Sequence, residues 1–143
     1  MSQTNELEIM ERIALDLEGV EESLASSFNT GAEDFNALIR PLSAAGGKRL
    51  RAQLCLLIAN AGTSVERQRI RIAEAVEMLH LATLIHDDVL DQAEIRRGEE
   101  TIHMHKGNKV AILSGDYLFA KAFQIVSEMP NMKYLQIFSH IIT

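Results

Sequence analysis

The chain has no tryptophan, two tyrosines, two prolines and a single cysteine among its 143 residues. One thiol excludes an internal disulfide and suits a reducing compartment, with Cys55, set in an apolar run, serving as a buried small side chain. Positive charge is scarce: 14 Lys and Arg against 20 Asp and Glu leave a formal charge of −6. That balance argues against nucleic acid as the main partner, although a local basic cluster can still hold an anion. No apolar run approaches the roughly 20 residues of a membrane span, so no transmembrane segment is expected. The polar, acidic start (Met1 to Glu6) is not a secretory signal. Repeats, low-complexity stretches and alternating strand patterns are also missing. What remains is ordinary globular usage, 47% hydrophobic and 24% charged, in a length that suits one domain at most. A cytoplasmic location is expected.

The apolar spacing is helical throughout. Met10, Ile13, Leu17, Val20, Leu24 and Phe28 form the stripe of an amphipathic first helix that ends at Asn29 to Gly31. A short helix over Asp34 to Leu42 is expected to be interrupted by Pro41. After the flexible Ala44 to Gly47, an apolar helix opens at Lys48-Arg49-Leu50-Arg51 and reaches about Ala59. Asn60 to Gly62 stops it, and Thr63 or Ser64 is the expected N-cap of a long helix over Val65 to Asp91, with Ile72, Val76, Leu79, Leu84 and Val89 on its apolar side. A polar loop over Gln92 to Asn108 and helices over Val110 to Ser127 and from Met132 onward complete an all-α pattern. The apolar stripe Tyr134 to Ile142 has no C-cap behind it, as if cut through a helix that expects neighbours.

The stretch from His80 to Arg97 carries the chemistry. It sets Asp87, Asp88 and Asp91 on an otherwise apolar helix and follows them with Arg96 and Arg97. Clustered carboxylates repel one another and resist losing water, so they ask for a cation. Asp87 and Asp91 lie one turn apart on one face. Magnesium is typically held by one or two carboxylates plus phosphate oxygens. Arginine supplies the matching bidentate grip on phosphate. The cations Lys48, Arg49 and Arg51 sit at a helix start, against the macrodipole, which favours a phosphate counter-charge over a mere charge cluster.

Four motifs in order, Gly46-Gly47-Lys48-Arg49-Leu50-Arg51, Asp87-Asp88-Val89-Leu90-Asp91, Arg96-Arg97-Gly98 and Ala111 to Leu118, resemble the N-terminal half of the trans-isoprenyl diphosphate synthases (polyprenyl synthetases). The resemblance implies an isoprenoid-synthase-like antiparallel helix bundle, of which this chain is about half, truncated at its C-terminus. It implies a prenyltransferase that condenses an allylic diphosphate with isopentenyl diphosphate, with Mg2+ as cofactor. By the same resemblance Asp87 and Asp91 are metal ligands with Asp88 in support. Lys48, Arg51, His80 and Arg97 hold isopentenyl diphosphate, and Arg96 touches the allylic diphosphate. Short-chain members place bulky aromatics one turn before the aspartates. Ala82 and Thr83 stand there in this chain, which implies a medium- or long-chain product such as heptaprenyl or octaprenyl diphosphate. A homodimer is the implied assembly, with a heteromer as the alternative.

Two departures, Ala52 and Glu100 where the family often has proline, fall on structural positions. The second aspartate-rich motif of the family has no counterpart after Asp91, so the fragment alone is expected to be inactive. Two rival readings compete. One is a metal phosphohydrolase of the histidine–aspartate type, built on His86-Asp87, which leaves Asp88, Asp91 and the basic run unexplained. The other is a non-catalytic interaction fragment of a prenyl synthase. Among the remaining polar residues, Arg49 reads as structural or exposed, and His80 has a core, carbonyl-bonded alternative. His86 is expected to pack or to orient an aspartate. His103 and His105 lack a third ligand for zinc. Asp116 is either a buried structural acid or a partner of the site, and Arg67, Arg69 and Arg71 form a solvated face.

Overall fold

The computed structural model describes residues 3–44, 48–62 and 65–142. Seven helices are found there: α1 (Gln3–Ser27), α2 (Glu33–Ala44), α3 (Leu50–Asn60), α4 (Glu66–Leu90), α5 (Ile102–Lys106), α6 (Asn108–Ser127) and α7 (Lys133–Ile142). Glycines 46 and 47, Thr63 and Ser64 lie outside the described residues. The N-cap position of α4 is Val65, in extended conformation and without a side-chain cap, with Glu66 in the favourable first turn.

The helix α4 is the axis of the bundle and packs on α1, α3 and α6. From α1, the core takes Ile13, Val20, Leu24 and Phe28, while Met10 of the expected stripe is exposed. On α4 the fully buried apolar positions are Ala73, Ala75, Met78 and Ala82, with Leu81 and Ile85 nearly so. The residues read as its apolar side, Ile72, Val76, Leu79, Leu84 and Val89, are half-buried instead. The stripe is rotated because three acids, Glu74, Glu77 and Asp88, are also buried.

Each buried acid has partners. Glu74 accepts hydrogen bonds from Ser23 and Ser27 hydroxyls at 2.6 Å and pairs with Arg71. Asp16 of α1 receives Arg69 Nε at 2.9 Å and Nη2 at 3.0 Å. The expected solvated arginine face is therefore mostly a clamp: Arg67 is exposed, but Arg69 is buried and Arg71 reaches both Glu74 and Glu128. Burying a carboxylate is tolerable only with such bonds, and these fix the register of α1 on α4.

Two other expectations are corrected. Pro41 lies inside α2 rather than interrupting it, so only one backbone donor is lost and the helix closes around it. The loop after α4 is not structureless: β1 (Ile95–Arg96) pairs antiparallel with β2 (Glu99–Glu100), and the one-turn α5 follows. Two residues per strand is too short for any alternation to register in the sequence. One helix, α6, is long and apolar enough to cross a membrane by length and composition, an 18-residue window of it having mean hydropathy 1.2, while its inward side is packed against α4.

Candidate functional site

Three left-handed residues frame the site. Arg49 (φ 45°), Gln92 (φ 53°) and Arg97 (φ 53°) are the non-glycine positions of positive φ among the described residues. Such a backbone costs a residue bearing a Cβ roughly 1–2 kcal/mol, so the surrounding contacts must enforce it. Gln92 closes α4: its N–H donates to the Val89 carbonyl and that of Ala93 to the Asp88 carbonyl, the paired bonds of a Schellman ending. This stop leaves Asp87 and Asp91 on the last turn, where the Asp91 N–H donates to the Asp87 carbonyl at 2.8 Å. Both aspartates are exposed.

Asp88 faces the other way. Its side chain is 5% exposed and its Oδ1 accepts Arg96 Nε at 2.6 Å. Arg96 sits on β1, and the next two residues, Arg97 and Gly98 (φ 88°), form a two-residue hairpin turn with both φ values positive. That turn sends adjacent arginines to different places. Arg96 goes to α4, and its two terminal nitrogens make no hydrogen bond among the described residues. Arg97 goes to the wall between two hollows.

The smaller hollow, of about 140 Å³, is lined by Lys48, Arg51, His80, Arg97, Arg49 and Glu77, over Leu50, Leu81 and Leu84. It draws one cluster from three separate segments: the start of α3, the middle of α4 and the hairpin. Arg49 is committed elsewhere as well, with Nε 2.6 Å from Glu21 and Nη1 3.7 Å from Glu77, so the structural alternative read for it is the one found. A larger hollow of about 810 Å³ lies across Leu81, Leu84 and Arg97, between α2, the hairpin and α5. Asp87, Asp88 and Asp91 line neither hollow; Asp88 reaches the larger one through Arg96.

His80 is half-buried at the small hollow, not a core residue. Burial, and then the Arg51 charge, hold its proton affinity below the ordinary histidine value, with Arg97 and Arg96 acting the same way and Glu77 opposing. Its imidazole is therefore neutral at neutral pH. The unfolded chain takes up the proton first, so this group contributes stability above the ordinary histidine range and loses it as pH falls.

The remaining expected residues are placed as follows. Ala82 is fully buried in the bundle, so of the pair only Thr83 stands half-buried on the Asp87 side, its hydroxyl donating to the His80 carbonyl at 2.8 Å. His86 is turned onto α6, with Nε2 3.2 Å from the Ile112 carbonyl and 3.5 Å from Asp116, its ring stacked on Phe119. Asp116 is exposed, not a buried acid. His103 bonds the Thr101 hydroxyl, and no three His, Cys, Asp or Glu side chains converge on a common point among the described residues. The partners of His86 among the described residues, His86 being the other half of the histidine–aspartate reading, are on α6. Two exposed carboxylates one turn apart do fit magnesium, which needs few protein oxygens when phosphate supplies the rest. Glu77, Asp16 and Glu74 were not legible as functional or structural partners, since an acid within a helix pattern reads as solvent-facing.

The profile of the family described as Polyprenyl synthetase matches residues 32–143. Solanesyl diphosphate synthase 1 of Arabidopsis thaliana is 34% identical over 94% of this chain and 34% of its own length. Octaprenyl diphosphate synthase of Escherichia coli K12 is 33% identical over 94% of this chain and 42% of its own. A crystal structure of polyprenyl synthase from Caulobacter crescentus, complexed with calcium and isoprenyl diphosphate, superposes with TM-score 0.84 at 36% identity, over 91% of this chain and 41% of that one. The chain thus spans less than half the length of these relatives. With the helical bundle, the split arginine pair and the aspartate turn in place, this chain belongs to the polyprenyl synthetase family.

Proposed function

We propose that this chain is the diphosphate-binding part of a prenyltransferase that joins isopentenyl diphosphate to an allylic diphosphate. The observation that carries this reading is the convergence of Lys48, Arg51, His80 and Arg97 on one small hollow. These four hold the diphosphate of isopentenyl diphosphate. Asp87 and Asp91 hold Mg2+, and Arg96 offers its two terminal nitrogens to the allylic diphosphate while Asp88 fixes its Nε. Magnesium held there would supply positive charge to the departing diphosphate. The allylic carbon–oxygen bond breaks, the isopentenyl double bond forms the new carbon–carbon bond, and a proton leaves. Preorganised positive charge is the help this chain gives, and no protein nucleophile is needed. Small Thr83 on the Asp87 side favours a medium- or long-chain product. A homodimer in the cytoplasm, without nucleic acid, is the proposed setting.

Titrating inorganic pyrophosphate into the chain by calorimetry tests the reading. Binding is expected, and Lys48→Ala or Arg97→Ala should each weaken it about tenfold. Equal affinity in the wild type and both variants overturns it.

The same titration carries a pH signature. An anion in the hollow favours the protonated imidazole, so wild type should outbind His80→Gln by a ratio that grows as pH falls from neutrality. The ratio cancels the ligand's own protonation. A pH-independent ratio removes His80 from the site.

A further inference from the structure

Glu77 is a buried carboxylate that the chemistry above leaves unused. It is 4% exposed, on the wall of the small hollow, and belongs to none of the four motifs. Its presence needs a reason, because a negative charge beside a hollow for a polyanion weakens binding by simple Coulomb repulsion.

The reason lies in the start of α3. The first N–H groups of a helix have no partner inside it, and the residue at the N-cap position here is Arg49, in left-handed conformation with no side-chain cap. Glu77 supplies the missing acceptor from another helix: its Oε1 takes the Ala52 N–H at 2.9 Å. Its Oε2 lies 3.7 Å from Arg49 Nη1, while Glu21 of α1 holds Arg49 Nε at 2.6 Å. One carboxylate thus ties the first turn of α3 to α4 and fixes the left-handed Arg49 in place. Lys48, directly before Arg49, and Arg51, in that first turn, both line the hollow. A turn left to fray would carry both cations with it.

We propose that Glu77 is the positioning residue of the diphosphate hollow: by capping α3 and anchoring Arg49, it holds Lys48 and Arg51 toward the bound phosphate. The inference rests on the functional reading above. It makes a prediction opposite in sign to charge alone. Removing Glu77 makes the hollow more positive, so electrostatics without positioning predicts tighter pyrophosphate binding, whereas positioning predicts weaker binding.

The test uses the full chain, inorganic pyrophosphate and two variants. Glu77→Gln keeps an acceptor for the Ala52 N–H but loses the ion pair, and Glu77→Ala loses both. Calorimetry should show affinity reduced about tenfold in Glu77→Ala and less in Glu77→Gln. Amide exchange without ligand should show the Ala52 N–H losing protection in Glu77→Ala and retaining most of it in Glu77→Gln. If Glu77→Ala fails to fold by circular dichroism, Glu77→Gln decides, its affinity falling if the proposal holds. Affinity unchanged or increased in a folded variant, or Ala52 protection unchanged in Glu77→Ala, overturns the proposal. Absence of pyrophosphate binding by the wild type overturns the functional reading and the positioning role together, and is distinguished from failure of this inference alone, where the wild type binds and the variants match it.

Discussion

Asp16→Ala is expected to lower the stability of the chain by about 3–5 kcal/mol, the usual cost of stripping one partner from a buried ion pair. Asp16 is 4% exposed and receives two nitrogens of Arg69, itself 9% exposed, and the Asn60 side-chain amide at 3.0 Å. Alanine leaves the guanidinium buried beside an apolar methyl group. A domain of this size has only about 5–15 kcal/mol to lose, so the melting temperature should fall by roughly 10 °C. The pair joins α1, α3 and α4 near the far end of α4 from the aspartates. Replacing both partners, as Asp16→Leu with Arg69→Met, should restore most of the loss, since an apolar pair needs no desolvation. Urea unfolding of the wild type and the two variants decides it. A loss under about 1 kcal/mol for Asp16→Ala means that water or Asn60 already satisfies Arg69, and the clamp is not what holds α1.

The contrast between Asp16 and Asp87 explains which parts of the molecule were legible. Helix bounds followed from breakers and spacing: Asn60 to Gly62 ends α3, Pro130 follows α6, and the long apolar pattern is α4 almost to the residue. The site motifs were legible because each is local, with the aspartates one turn apart and the arginines adjacent. Partnerships between distant residues were not. Asp16 finds Arg69 and Glu74 finds Ser23 across 53 and 51 positions, and nothing in either segment marks the other. A helical acid carries no local mark of burial, so nothing in the sequence singled out Glu74, Glu77 or Asp16. The arginine face failed for the same reason.

The hairpin was hidden by its turn. A two-residue loop with both φ values positive favours Asn-Gly, and Arg97-Gly98 supplies only the second half of that signal. Yet this turn decides the division of labour between Arg96 and Arg97. Strain in a non-glycine residue is therefore the feature a motif search passes over and a structure exposes. Likewise the motif gave Asp88 a supporting role without saying how it acts. Its burial and its 2.6 Å bond to Arg96 make it a brace for that arginine, while Asp87 and Asp91 keep their oxygens in solvent.

Gly115→Ala should destabilise the chain by about 2 kcal/mol, although alanine is the better helix former by up to about 1 kcal/mol. Gly115 is buried in the interior of α6, and a Cβ built there would overlap the imidazole of His86. To retreat, that ring must give up its contacts with the Ile112 carbonyl, Asp116 and the face of Phe119. The missing side chain is thus what lets α4 and α6 approach closely, one residue before Asp87. Gly19 makes the control: a Cβ there meets Ile70 Cδ1 at 2.8 Å, the free end of a flexible side chain that can rotate away, so Gly19→Ala should be nearly neutral. The decisive measurement is a double-mutant cycle by urea midpoints. With His86→Ala in place the obstruction is gone, and Gly115→Ala should change sign and stabilise by up to about 1 kcal/mol through helix propensity. If Gly115→Ala costs the same in both backgrounds, its cost comes from the backbone and His86 is not the wedge between the two helices.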